Sequence, residues 1–328
     1  MLVRISAVGD NEHSMPVKFS PKPRQLMFPL LALLGLYVLV PQFGSFHESL
    51  GFIRHAQATA LIAAAVCTGL TYLAAAGTYY LIGLRQLRYW HTVLVQVASM
   101  FINRLLPAGI GALGANYAYL RGQKHTPAQA GAVVAVNNFL GLAGHVVLVI
   151  IIVSLYHDRL PPVHMFSVNH RAIWFGLLIV AVVLGLAFSV SAWRRRLRAT
   201  LISFSEQLLN FRKRPWRLLG GLGSSMGLTL SNVLGLYFCL LAVHGSASFV
   251  MVLLVFTLGV GLGTATPTPG GLGGFEAGLV AGFIAYHVPS SQALAAALLY
   301  RLLSYWLAIG VGAIAFAYAQ QKRVFSAQ

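Results

Sequence analysis

Three ionisable residues lie deep in apolar sequence: Arg104, Glu276 and Arg301. A charged side chain is costly inside a bilayer, so its default reading there is functional. Arg104 lies three residues before Pro107, Glu276 seven after Pro269, and Arg301 nine into the run that begins at 292. At 1.5 Å per residue, Arg301 is roughly 13 Å deep, near the middle of a hydrocarbon core about 30 Å thick. Two positive charges and one negative leave one positive charge in excess. That balance suits an anionic ligand, and a phosphate in particular, which an arginine can grip with a bidentate fork.

The prolines beside these charges belong to a sequence that occurs twice. Pro107 opens Pro-Ala-Gly-Ile-Gly-Ala-Leu-Gly, and Pro269 opens Pro-Gly-Gly-Leu-Gly-Gly-Phe-Glu. A second proline follows each at the same distance, Pro127 and Pro289, so both pairs are offset by 162 positions. Gly/Pro breaks at matching places in two apolar halves point to a transporter-type site at the bilayer midplane. A helix returning from such a break presents free N–H groups and a positive dipole end, which bind phosphate readily. Arg104, Arg301, Gly109, Gly111, Gly271 and Gly273 are therefore the candidate lipid-phosphate ligands. Asn103, Asn137, Asn138, Tyr300 and Tyr305 are candidate supporting polar groups. The asparagines could donate to a headgroup or equally tie helices together.

Two readings of Glu276 stand side by side. Its carboxylate could meet a cationic group on a headgroup. It could instead neutralise Arg301 as a buried pair, or simply favour the N-terminus of its helix. Other chemistries are poorly served. The glycines at 270, 271, 273 and 274 follow no expected strand and precede no Lys-Ser/Thr, so neither a dinucleotide fold nor a P-loop is supported. With six acids in all and one in apolar sequence, no paired-carboxylate or Ser-His-Asp set is available, and an enzyme is not expected. His157, Asp158, His164 and His170 lack a metal spacing, and Cys67 and Cys239 read as small apolar side chains, so neither a metal nor a cofactor is expected.

The elements that must position these residues are membrane helices. The chain is 58% hydrophobic and only 9% charged, far from soluble averages. Span-length apolar runs fall at 26–43, 58–84, 128–155, 172–193, 217–243 and 292–319. The broken segments 91–122 and 248–287 bring the count to eight hydrophobic segments. The net charge of +17 is explained by topology rather than by nucleic acid. Eighteen Lys/Arg fall in segments that can share one side, against Arg54, Arg159 and Arg171 on the other. The richer side is cytoplasmic by the positive-inside rule. That parity requires both broken segments to leave and return on one face, as re-entrant hairpins from opposite sides.

The expected architecture is thus an all-α integral membrane protein with an inverted repeat, each half holding three spanning helices and one re-entrant hairpin. A cytoplasmic basic tail occupies 1–25, the first repeat 26–155, an outer loop 156–171, the second repeat 172–319 and a cytoplasmic tail 320–328. Residues 194–217 carry apolar positions at helical spacing between basic clusters. They read as an amphipathic helix on the anionic leaflet or as a plain basic connector.

Three stretches resemble signature segments of the lysylphosphatidylglycerol synthase transmembrane family, also called flippase-like or UPF0104. They are Asn103-Arg-Leu-Leu-Pro-Ala-Gly-Ile-Gly-Ala, Thr268-Pro-Gly-Gly-Leu-Gly-Gly-Phe-Glu and Tyr300-Arg-Leu-Leu-Ser-Tyr-Trp. The resemblance covers roughly 26–320. The family includes the membrane half of multiple-peptide-resistance-factor proteins, which move aminoacylated phosphatidylglycerol between leaflets. The soluble aminoacyl-transferase domain of bifunctional members has no counterpart in this sequence. The resemblance implies lipid handling in a prokaryotic plasma membrane, with a phospholipid or other anionic lipid as ligand. A homo-oligomer or an envelope-lipid enzyme is the expected protein partner. The competing readings are a non-transporting scaffold for such an enzyme and an intramembrane lipid-modifying enzyme.

Overall fold

The structure is a computed structural model, and it describes residues 51–105, 110–156, 214–266, 268–322 and 324. The expected spans 26–43 and 172–193, the tails at 1–25 and beyond 324, the outer loop from 157 and the basic segment up to 213 lie outside the described residues. Within them the chain is helical, without a β-strand. The helices bounded within the described residues are, in order, α1 Ala58–Ile82, α2 Tyr89–Leu105, α3 Ile110–Gly122, α4 Pro127–Leu155, α5 Pro215–Ala242, α6 Phe249–Ala265, α7 Gly274–Ala285, α8 Ser290–Arg301 and α9 Ala308–Gln321. A π turn over Leu302–Leu307 joins α8 to α9 without a break.

Among the described residues, four helices are long and apolar enough to cross a membrane: α1, α4, α5 and the continuous Ser290–Gln321. Their ends fall within three residues of the expected runs at 58–84, 128–155, 217–243 and 292–319. The 25 residues of α1 measure about 37 Å at 1.5 Å each, enough for the core of a bilayer. The two broken segments form pairs of shorter helices instead, α2 with α3 and α6 with α7. At 13 and 12 residues, α3 and α7 reach only about 20 Å.

Local chemistry explains where the helices start and stop. Thr126 caps α4 by accepting from the Gln129 backbone N–H at 3.2 Å, while the Gln129 side chain accepts from Thr126 N at 3.0 Å. Pro127 follows at the first helical position, where its missing N–H matters least. Ser248 caps α6 through Met251 N. Gly270, Gly271 and Gly273, all with positive φ, turn the chain between α6 and α7. Side chains rarely adopt that backbone shape, which is why glycine stands there.

Packing follows small residues, as in membranes generally. Ala60, Ala64, Thr68, Thr71, Ala75 and Thr78 form one buried face of α1, with steps of three and four. α1 and α5 make the most extensive helix contact among the described residues, where a Cβ on Gly77 would meet the Ser224 hydroxyl at 2.9 Å and one on Gly221 the Ile82 side chain at 3.1 Å. Gly274, Gly278 and Gly282 form the seam of α7 against α6, where a Cβ on Gly278 would sit 2.8 Å from the Gly259 Cα. The outer faces carry exposed Ile62, Val66, Ile150, Val311 and Ile314, as a lipid-facing surface requires.

A candidate site in a cavity between the helices

Arg301 closes α8 and is 5% exposed. Its Nε donates to Glu276 Oε1 in a buried ion pair, and its Nη2 donates to the Gly270 carbonyl at 3.1 Å. The guanidinium carbon lies 5.0 Å from the Phe275 ring centre and 4.6 Å from that of Tyr305. The second Glu276 oxygen accepts from Gly273 N at 2.8 Å. Glu276 therefore fills the anion position at the N-terminus of α7 from within its own helix. Both charges of the pair are held by protein groups, the condition under which a buried ion pair is tolerable.

Arg104 sits in the last turn of α2. Its Nη2 donates to the Ser304 carbonyl at 3.1 Å, and its guanidinium lies 5.0 Å from the same Tyr305 ring. Its Nε is buried and has no partner among the described residues. No carboxylate of the described residues pairs with it. Ser304 and Tyr305 both come from the π turn. Such turns are rare and concentrate at functional sites. Here the turn delivers one carbonyl and one ring to Arg104 directly after Arg301.

These groups border a cavity of about 700 Å³, well within the range of small-molecule sites. Of the expected residues, Asn103, Arg104, Gly271, Tyr300 and Arg301 line it, and Gly270, which was not a candidate, lines it beside them. Tyr305 bridges the two arginines, and its hydroxyl donates to the Pro269 carbonyl at 3.4 Å. Gly273 and Glu276 stand behind Arg301 rather than on the cavity wall. Gly111 serves the crossing of α2 and α3, where a Cβ would collide with the Ile102 and Asn103 backbone. Asn103 Oδ1 accepts from Ala112 N at 3.3 Å, so the free N–H end of α3 is partly satisfied by α2. Gly109 lies outside the described residues, as does Pro107. Asn137 and Asn138 are on α4 away from the cavity lining, and Asn138 is exposed.

Sequence reasoning missed part of the lining. Thr68, Thr71 and Tyr72 of α1 and Thr229 and Asn232 of α5 face the cavity. Tyr300 donates to Asn232 Oδ1 at 2.9 Å. The missed signal is polar residues three or four apart in otherwise apolar spans, which share a helix face. His145 also lines the cavity, its ring 6.4 Å from that of Phe256.

Apolar helices of spanning length around a cavity lined by both apolar and polar side chains define a multi-pass α-helical membrane protein. The chain belongs to the lysylphosphatidylglycerol synthase transmembrane-region family, whose profile matches residues 26–312. It is similar to a UPF0104 membrane protein of Pyrococcus horikoshii, with 28% identity over 156 residues. That match spans 46% of this chain and 47% of the relative, about half of its length.

Proposed function

We propose that this chain is a flippase-like protein that binds the phosphate headgroup of a lipid in the cavity and moves it between leaflets. The observation that carries the reading is Arg104, whose guanidinium borders a large cavity with a buried, unpartnered Nε among the described residues. No carboxylate of the described residues balances this guanidinium, and a phosphate in the cavity would do so. Membership of the family supports a lipid rather than a water-soluble anion.

The rest of the reading follows the membrane logic. The helix pairs α2/α3 and α6/α7 are re-entrant hairpins from opposite faces, related by an inverted repeat, and their tips meet the arginines near mid-membrane. The protein sits in the plasma membrane of a prokaryote with both termini cytoplasmic. It transports rather than catalyses. A homo-oligomer or an envelope-lipid enzyme is its partner.

The test is a sidedness assay. Proteoliposomes holding the full chain and fluorescent phosphatidylglycerol are treated with a membrane-impermeant quencher. Wild-type protein should expose inner-leaflet probe faster than empty vesicles, and folded Arg104→Ala protein should not. Rates equal to empty vesicles for wild type would favour the scaffold reading, and a covalently altered lipid would favour the enzyme.

A further inference from the structure

We infer that the cavity selects a phosphodiester monoanion whose second substituent carries hydroxyls and no amine, and discriminates against cationic or zwitterionic headgroups. This rests on the phosphate-binding reading of the same cavity. The charges decide it. Arg301 and Glu276 neutralise one another, and the remaining carboxylate oxygen is taken by Gly273 N. Arg104 alone is left uncompensated among the described residues. One phosphodiester charge balances it. An ammonium on the headgroup would bring a second positive charge into a cavity whose carboxylate is already committed, where like charges repel more strongly than in water.

Four threonines of the wall have their hydroxyl protons engaged within the protein. Thr68 and Thr71 donate to the carbonyls of Ala64 and Thr68, at 2.9 and 2.6 Å. Thr266 and Thr268 donate to those of Leu262 and Leu272, at 2.7 and 2.8 Å. With their protons engaged, these oxygens can still accept, which suits hydroxyl donors on a ligand. An ammonium could donate to them as well, so the selection lies in charge rather than in hydrogen bonding.

The experiment is competition for tritiated phosphatidylglycerol bound to the full chain in phosphatidylcholine nanodiscs. The competitors are phosphatidylglycerol, phosphatidylethanolamine, lysyl-phosphatidylglycerol and soluble glycerophosphoglycerol. Phosphatidylglycerol should compete about tenfold or more better than either amine-bearing lipid. Thr264 is an exposed cavity residue, and Thr264→Asp should narrow that gap by adding a free carboxylate. Equal competition by lysyl-phosphatidylglycerol and phosphatidylglycerol overturns the selectivity while leaving phosphate binding intact. Glycerophosphoglycerol competing as well as the intact lipid keeps the selectivity and overturns the lipid as its source. Absence of saturable binding by the folded wild-type chain overturns both.

Discussion

Arg104 and Arg301 lie over the same ring, their guanidinium carbons 5.0 and 4.6 Å from the centre of Tyr305, yet only Arg301 has a carboxylate. The ring's negative face attracts both cations. Their environments divide the work. Arg301 is tied to Glu276 and Gly270, while Arg104 holds one carbonyl and keeps donors for a ligand.

Arg104→Ala is therefore expected to leave the protein folded and to weaken phosphatidylglycerol binding about tenfold or more. Arg104→Lys should recover part of that affinity, because an ammonium restores charge but not the planar fork. Binding in nanodiscs and a melting curve on the same preparations check both. Wild-type affinity in folded Arg104→Ala would show that the cavity's cation is not its ligand group.

Arg301→Ala is expected to act mainly on stability. It strands Glu276 beside α7, and breaking a buried pair from one side costs about 3–5 kcal/mol. The double change Arg301→Met with Glu276→Leu should recover much of the loss. Unfolding in mixed micelles measures all three. An additive double variant would show that the two residues do not act as a unit.

Gly278→Leu should open the α6/α7 seam, since even a Cβ would approach the Gly259 Cα to 2.8 Å. Overpacking of this kind costs about 1–3 kcal/mol. Gly69→Ala on α1 meets nothing within 4 Å. It should be neutral or stabilising by up to about 1 kcal/mol, from helix propensity. Matching losses at the two positions would remove the seam as the reason for glycine at 278.

Topology is tested by single cysteines in a background lacking Cys67 and Cys239. A cysteine at Gln123, in the turn between α3 and α4, should be labelled from the cytoplasm. One at the exposed Ser246, between α5 and α6, should be labelled from outside. Labelling of both from the same side would rule out hairpins entering from opposite faces.

His125 supplies a pH dependence. It is 1% exposed in the turn before α4. Its Nε2 accepts from Arg85 N at 3.3 Å, and its Nδ1 lies 3.1 Å from the Leu120 carbonyl. Burial pushes its pKa below the usual 6.5, with the Arg85 charge adding to the shift and hydrogen bonds to backbone carbonyls opposing it. A folded pKa below the unfolded one means that the unfolded chain binds the proton first. The contribution is then complete above about pH 6.5 and lost progressively as pH falls below it towards the folded pKa. The melting temperature should drop between pH 7 and pH 5, and less so in His125→Gln. An identical drop in that variant would assign the effect elsewhere.

Much was legible before any coordinates. Hydropathy placed α1, α4, α5 and the last span within three residues of their ends, because a run of apolar side chains is a local fact. The Gly/Pro breaks marked where 248–287 divides, since only glycine adopts the positive φ of Gly270, Gly271 and Gly273 readily. The three buried charges were also visible, as was their excess of one positive. Whether Glu276 pairs with Arg301 or stays free for a headgroup was not, since the sequence left both readings open. That choice depends on distances among residues 104, 276 and 301, and no spacing along the chain encodes them. The tertiary structure assigned Glu276 to Arg301, and with it the unpaired donor to Arg104. It also supplied the hydroxyl wall, because Thr68 and Thr229 share a cavity only once the small-residue faces of α1 and α5 pack together.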